Sequence, residues 1–499
     1  MIDYILNVSI RFINSIAVKK RIMKIMLVYP PAQIEDTYSN FAFAAPVLPP
    51  LGLAYMAAVL LQKGFDVKIA DCVSDRMGIK ELLGLIKEYK PDIVGFNANA
   101  ISYPKVQKIL PLVKELNPKI ITIIGGAHPS AMPKAMLEEN PCLDIAVIGE
   151  GEYTLLEIAE KVRGKKPLRG IEGTVVREKG KIIVNNPRAY IANIDEIPFP
   201  ARELLKPPSE YRHTTIRRGK GILIPMITSR GCPFKCAYCD QSVFTKGWRG
   251  HSAEYIIREI KMLKEKYGAE VVSFEDDNFA LSKERTIELC KKMIDQKLNV
   301  KWSGCIRIDR IDEEIISWMK KAGCWIIYVG IESDSPEMLK SINKNIIPSQ
   351  IINALNIANK YGVDVYGSFI IGMPGDTVES IKRRVKFACK LPLTGITFNL
   401  FTPYPNTKIT DFISQHGTVS TNLEDYSDHT NHPAFIPNGM TAEQLMSLQN
   451  WAYKKFFMRS QYIIKNISNI TDIRFIKAAF KAAFLFLGLS KNSPKSLKL

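Results

Sequence analysis

Two runs of alternating strand and helix, over residues 23–166 and 221–415, constrain this 499-residue chain more than any other feature. In the first, the apolar stretches KIMLVY, DVKIAD, DIVGFNA, KIITIIGG and DIAVIGEG read as strands. Around them LGLAYMAAVLLQKG, IKELLGLIKEY, YPKVQKILPLVKEL, PSAMPKAMLEE and YTLLEIAEKV read as helices. Such β-α alternation predicts an α/β fold, here a doubly wound parallel sheet with helices on both faces. The second run offers GILIPMIT, EVVSFEDD, VKWSGCIR, WIIYVGIES, VDVYGSFIIG and GITFNLFTPY, separated by helices such as SAEYIIREIKMLKEKYG and ERTIELCKKMIDQK. Six units suit a partial (β/α)6 barrel better than a closed barrel of eight. Residues 167–217, with many Gly and Pro, read as a connector made of a small hairpin and a Pro-rich link. After residue 415 the alternation stops, and Thr441 to Gln444 (TAEQ) is a capping-box candidate opening a helix. Four parts are expected: 23–166, 167–217, 218–415 and a helical region over 416–499.

Nine cysteines are spread along the chain, but Cys232, Cys236 and Cys239 fall together in TSRGCPFKCAYCD. Thiolates suit iron-sulfur clusters and zinc, and purely structural sites of either kind usually take four protein ligands. Only three are local here, which in a cluster leaves one iron open to a small molecule. Zinc would need a fourth ligand, the nearest being His213 and His251, and usually takes its ligands as two close pairs. The odd count argues against disulfides, and the other six cysteines read as buried small hydrophobes. The triplet follows an Ile-rich strand, in a loop with Gly231 and Pro233, at the edge where parallel α/β folds place active sites. With Tyr238 just before the last cysteine, the segment resembles the signature of the radical S-adenosylmethionine (radical SAM) enzymes. The resemblance implies a 4Fe-4S cluster on the three cysteines, SAM bound at the open iron, and Tyr238 against the adenine.

The ends of the later barrel strands carry polar residues at one edge. Glu275, Asp276 and Asp277 follow the second strand, where the family's G-G-E motif contacts the SAM amino group. Arg307 follows the third and Glu332 with Ser333 the fourth, where family members bind the SAM carboxylate or ribose. The fifth ends in a turn opened by Gly372, near the adenine. Each alone reads equally well as a cap or an ion pair; their recurrence at one edge favours the joint reading.

The matching edge of the first run carries Pro31, Asn97, the GGAH of Gly125, Gly126 and His128, and the GEGE that opens with Gly149, Glu150 and Gly151. Glycines let a bulky ligand approach the backbone, and helix N-termini accept phosphate. No G-x-G-x-x-G follows the first strand, which argues against a nicotinamide cofactor. Ahead of the cysteine triplet, PPLGLAYMAAVL, GGAHP and GEGE resemble the cobalamin-binding domain of cobalamin-dependent radical SAM enzymes, and the likeness covers most of residues 23–415. It implies that Pro31, Asn97, Ser102, Gly125, Gly126, His128, Gly149, Glu150 and Gly151 surround cobalamin and its nucleotide tail. The D-x-H-x-x-G motif, whose histidine ligates cobalt in other cobalamin domains, is replaced by Asp71-Cys72-Val73-Ser74. The lower face of cobalt is therefore expected to be open or to hold water, with His128 a loop or tail contact.

By resemblance, the activity expected is reductive cleavage of SAM to a 5'-deoxyadenosyl radical and methyl transfer to an unactivated carbon of a hydrophobic substrate. The alternative, as in relatives resembling the anaerobic magnesium-protoporphyrin cyclase, is ring formation with the same cofactors and no methylation. A one-electron donor such as flavodoxin or ferredoxin and oxygen sensitivity follow from either. A cobalamin-binding or lipid-surface module with a structural cluster is the reading from another class, and it predicts no SAM cleavage.

The net charge of +18 asks for an anionic partner. No basic and aromatic stripe and no nucleic-acid module is present, so nucleic acid is not expected. From residue 451 onward ten basic residues, Lys454 to Lys498, face the single acid Asp472. There FIKAAFKAAFLFLGL reads equally as a helix lying on an anionic membrane surface and as one docked on the barrel. A membrane lipid or other hydrophobic anion is the substrate this region favours. His429, His432, Tyr404 and Tyr426 are candidates for the substrate pocket, against surface or packing roles. No run of 18 apolar residues occurs, so a cytoplasmic location is expected, with peripheral contact at the inner membrane face. In the first 22 residues the apolar stretch precedes the basic cluster, the reverse of a secretory signal, and reads as a mis-assigned start or a short amphipathic leader.

Overall fold

The computed structural model describes residues 21–31, 46–212, 221–244, 247–427, 432–460 and 462. The N-terminal leader, His213, His429 and the basic C-terminal segment lie outside them.

The first sheet grows from five parallel strands: β1 (Lys24–Tyr29), β2 (Asp66–Asp71), β3 (Ile93–Asn97), β4 (Ile121–Gly125) and β5 (Ile145–Val147). Helices α1 (Leu51–Gln62), α2 (Ile79–Tyr89), α3 (Tyr103–Leu116) and α6 (Glu152–Arg163) cover its faces. Ile25, Met26, Leu27 and Val28 of β1 are all buried, as a strand covered on both faces requires. PSAMPKAMLEE, read as one helix, forms two, α4 (Ala127–Ala131) and α5 (Pro133–Glu139). Pro133 supplies no N–H and forces Met132 out of the helical region, which ends the first of them. The strand order is β2-β1-β3-β4-β5, continued by β6 (Thr174–Glu178) and β7 (Lys181–Val184). These last two are the hairpin read within the connector; they pair antiparallel and extend the first sheet beyond β5. The order reverses between β1 and β3, and a crevice outside the carboxyl ends of the strands is expected there.

The second sheet is parallel throughout and ordered β15-β14-β13-β12-β11-β8. Its strands are β8 (Ile222–Met226), β11 (Ala269–Phe274), β12 (Lys301–Cys305), β13 (Cys324–Glu332), β14 (Asp364–Ile371) and β15 (Gly395–Leu400). A small antiparallel pair, β9 (Ser229–Arg230) with β10 (Arg249–Gly250), follows the first of them. The covering helices are α7 (Ala253–Tyr267), α8 (Lys283–Asp295), α9 (Glu313–Lys321), α10 (Pro336–Ser341), α11 (Pro348–Lys360) and α12 (Val378–Lys390). Most begin at a side-chain cap: Ser252, Ser282, Asp312, Ser335 and Thr377 each accept from a backbone N–H one turn on. Trp302 anchors the core, its ring 5.2 Å from both Phe274 and Phe279 and its Nε1 donating to the Ala322 carbonyl at 2.9 Å.

Beyond the barrel a short ribbon, β16 (Gly417–Val419) with β17 (Phe435–Pro437), precedes α13 (Ala442–Phe457), so the described part of this region is not purely helical. Thr441 and Gln444 form the expected capping box. Helix α13 lies over the edge strand β15: Gln449 Nε2 donates to the Phe398 carbonyl at 2.7 Å, and the Phe398 N–H donates to the Tyr453 hydroxyl at 3.1 Å. Among the described residues no helix is long and apolar enough to cross a membrane.

Candidate functional site

The cysteine loop leaves β8 through Thr228, Ser229 and Arg230. Gly231 takes a φ of +80°, and a β-carbon there would run into the Gly247 carbonyl, so glycine is required. Cys232 and Cys236 are half-buried, Cys239 is exposed, and all three are free thiols. The loop is braced from within by the Gln241 amide, which donates to the carbonyls of Cys232 (2.9 Å) and Phe234 (2.8 Å). Burial pushes the Cys232 thiol up, and the Asp277 carboxylate and the Cys236 sulfur add to it. Arg307 lies on the other side, its Nη1 3.7 Å from Cys236 Sγ and its guanidinium 3.6 Å from the centre of the Phe234 ring. Among the described residues no three His, Cys, Asp or Glu side chains converge tightly enough to hold one metal ion. Three neighbouring thiols, with no histidine ligand beside them among the described residues and a guanidinium near, are a donor set that fits a cluster with each thiol on a separate iron. His251, the described candidate for a zinc ligand, is turned away, with Nδ1 2.8 Å from Asp195 and its ring stacked on Tyr255.

The residues expected around SAM divide into two groups. Asp277 is exposed and acts electrostatically on the thiols. Arg307, Tyr238 and Glu332 border the same loop. The Tyr238 hydroxyl donates to Glu332 at 2.9 Å, and the buried Lys344 ammonium sits 2.9 Å from that carboxylate. Glu332 itself holds a φ of +64°, a conformation rare outside glycine that recurs at functional sites. Asp276, Ser333 and Gly372 are not placed against the three thiols. Asp276 is buried beneath it, accepting from the Thr228 backbone (2.6 Å) and the hydroxyls of Thr228 (2.5 Å) and Ser229 (2.7 Å). The buried Ser333 hydroxyl accepts from Arg384 at 3.2 Å, and a β-carbon on Gly372 would press on Leu445 of α13. Glu275 accepts from Ser273 inside the barrel at 2.6 Å.

A cavity opens over the carboxyl ends of the first sheet, at the reversal of strand order. Leu27, Gly95, Asn97, Gly125, Gly126 and Val147 line it from the strands, Gly52 and Met56 from α1, and Gly149, Glu150 and Gly151 from the loop after β5. Ile227, Arg230 and Phe244 of the second body close it. A β-carbon on Gly52 would meet nothing within 4 Å, and on Gly95 or Gly125 it would meet its first neighbour only at 3.4 or 3.6 Å. Three bare backbone positions therefore face open space, a cradle that side chains would fill and that fits a flat, bulky ligand. Gly52 and Gly95 were not foreseen, although a glycine interrupting the apolar strand DIVGFNA is the signal that marks such a position.

Pro31 is buried at the end of β1, and Ser102 ties down the loop after β3 through Asn99 (2.9 and 3.1 Å); neither lines this cavity. His128 lines a second cavity of about 410 Å³, the size of a small-molecule pocket. Asn99, Ala100, Ile101, Ala127 and Ala131 form one wall and Tyr238, Cys239, Asp240, Tyr404 and Pro405 the other, so it spans the gap between the two functional edges. Burial lowers the His128 pKa, which favours the neutral imidazole, and its buried Nδ1 has no hydrogen-bond partner among the described residues. Tyr426 is buried behind Tyr404, and His432 is exposed.

One further cluster joins the two edges. Glu150 reaches Arg230 (2.8 Å) and Arg249 (2.8 Å), and Glu152 reaches Arg230 (2.6 Å). Burial would raise the Glu150 pKa, but the two guanidinium groups outweigh it and hold the carboxyl below its ordinary value.

Both parts of the chain match known families. Residues 226–388 match the family described as the Radical SAM superfamily, and residues 41–159 match the B12 binding domain. An uncharacterized methyltransferase of Pyrococcus horikoshii is 36% identical over 90% of this chain and 95% of its own. The anaerobic magnesium-protoporphyrin IX monomethyl ester cyclase of Rubrivivax gelatinosus is 26% identical, over 93% of this chain and 84% of its own. Among solved structures, the radical S-adenosylmethionine methyltransferase TsrM from Kitasatospora setae, with cobalamin and a 4Fe-4S cluster bound, has a similar fold. Its TM-score is 0.65 at 17% identity, over 87% of this chain and 88% of that one.

Proposed function

The chain belongs to the radical SAM superfamily, in the group that carries a B12-binding domain, and on that premise we propose that it methylates an unactivated carbon of a hydrophobic substrate. One observation supports this above the rest: residues around the cysteine loop line both cavities of the first domain's edge, Arg230 and Phe244 the glycine-lined one, Tyr238, Cys239 and Asp240 the one that holds His128. When bound, the cofactors supply what no side chain can: an electron for reductive cleavage of SAM, a radical that takes hydrogen from carbon, and a methyl group carried on cobalt.

The protein's own part is to bind, orient and exclude water. Cys232, Cys236 and Cys239 hold the cluster, and Arg307 stabilises their negative charge. Asp277 is the carboxylate of its run that receives the SAM amino group. Tyr238 is fixed by Glu332, and Lys344 neutralises that carboxylate. Gly52, Gly95, Gly125 and Gly149 admit cobalamin against the bare backbone. The gap pocket is walled mostly by Ala100, Ile101, Ala127, Ala131, Tyr404 and Pro405, which supports an apolar substrate body. Neutral His128 offers a hydrogen bond without placing a charge in that wall.

Anaerobic reconstitution with iron, sulfide and cobalamin tests the reading. Reduced protein given SAM should release both 5'-deoxyadenosine and S-adenosylhomocysteine; failure to form 5'-deoxyadenosine would overturn it. Ring formation without methylation is the second reading, favoured by the likeness to the protoporphyrin cyclase, and it predicts no methylated product.

A further inference from the structure

Two arginines stand directly opposite one another in the β9–β10 pair, Arg230 against Arg249. Like charges in that position repel. What reconciles them comes from the other domain: Glu150 takes one arginine on each side, and Glu152 takes the second face of Arg230. The side chains of Arg230, Glu150 and Glu152 are only 4%, 5% and 6% exposed. A buried network of this kind contributes little net stability compared with apolar packing of the same shape, yet it permits few geometries. Its value is therefore positional.

The position it sets is between the two cofactor loops. Glu150 and Glu152 flank Gly151 at the glycine-lined cavity, and Arg230 precedes Cys232 by two residues, about 7 Å of chain. Tyr55 of α1 and Phe244 flank the Arg230 guanidinium with ring centres at 5.6 and 5.7 Å, within cation–π reach.

We propose that Arg230, clamped by Glu150 and Glu152 while Arg249 holds the far side of Glu150, is a positioning residue that fixes the cobalamin-holding loop relative to the cluster-holding loop. The inference rests on the proposed assignment of those two loops. It separates two products: 5'-deoxyadenosine needs SAM and the cluster alone, whereas S-adenosylhomocysteine from methyl donation needs both loops in register. A misplacement of about 1 Å is enough to cost about a hundredfold in a step of that kind.

Arg230→Met and Glu152→Gln test it, with Arg230→Lys as the conservative variant. Each protein is reconstituted, reduced with titanium(III) citrate and given SAM, and hydroxocobalamin affinity is measured separately by equilibrium dialysis. The expected result is a ratio of S-adenosylhomocysteine to 5'-deoxyadenosine at least tenfold below wild type in both variants, hydroxocobalamin bound at least tenfold more weakly, and partial recovery with lysine. A merely structural role would lower both products together, in step with the folded fraction. An unchanged ratio and unchanged affinity in a folded variant would overturn the inference, and if Arg230→Met does not fold, Glu152→Gln decides alone. Wild-type protein that binds no hydroxocobalamin would instead overturn the proposed function.

Discussion

Gly95 sits in the middle of β3, where a β-carbon would lie 3.4 Å from Leu27 Cδ2 and otherwise face the cavity. Gly95→Val is suited to the empty protein at the backbone and β-carbon: valine favours a strand, and the β-carbon meets its nearest neighbour at ordinary contact distance. The three added carbons instead take space from the ligand. The walls there are β1, β3 and β4, whose backbones are tied together by the parallel ladder and cannot retreat. Overpacking a close-fitted site costs about 1–3 kcal/mol, which is a cobalamin dissociation constant raised about 5- to 150-fold. Equilibrium dialysis with hydroxocobalamin reads the loss, while iron content and melting temperature should match wild type. Gly84→Ala is the control, since Gly84 lies exposed in α2 with nothing within 4 Å of a β-carbon; it should stabilise by about 1 kcal/mol and leave cobalamin alone. If Gly95→Val bound cobalamin as tightly as wild type, the cavity would not be the cofactor's.

Cys236→Ala should abolish iron incorporation and 5'-deoxyadenosine formation while hydroxocobalamin binding persists; retained cleavage would exclude the three thiols as cluster ligands. Trp302→Ala removes a fully buried ring and should cost about 3–5 kcal/mol in a denaturant melt. His251 is held neutral: burial lowers its pKa from 6.5 to about 4 against the pull of Asp195. Between those values the unfolded chain binds more protons, so stability falls as pH drops through the window, by about 3 kcal/mol in all. Melting temperatures taken from pH 6.5 to 4 should decline, and less steeply in His251→Gln; equal slopes would refute this assignment.

Local pattern carried the architecture. The eleven anticipated strands stand where the apolar runs put them, because a strand covered on both faces must be apolar along its whole length. The edge residues were harder for a geometric reason. In Glu275-Asp276-Asp277 successive side chains point different ways, so one enters the barrel, one lies under the loop and one bonds to the Gly231 backbone near the thiols. Spacing alone cannot say which. Ser333 and Gly372 share the edge, yet their nearest partners lie on α12 and α13. Arg230 and Lys344 depend on contacts with residues far away in sequence, Glu150 being 80 positions from Arg230, and no local pattern announces such a pairing.

A sheet that stops at six strands ends in a flank with unspent backbone valence. At Phe398 that valence is met by Gln449 and Tyr453, two side chains standing in for the seventh strand that never comes. The barrel can thus stay unclosed without offering the Phe398 stretch of that flank to another molecule as a template for strand-to-strand assembly.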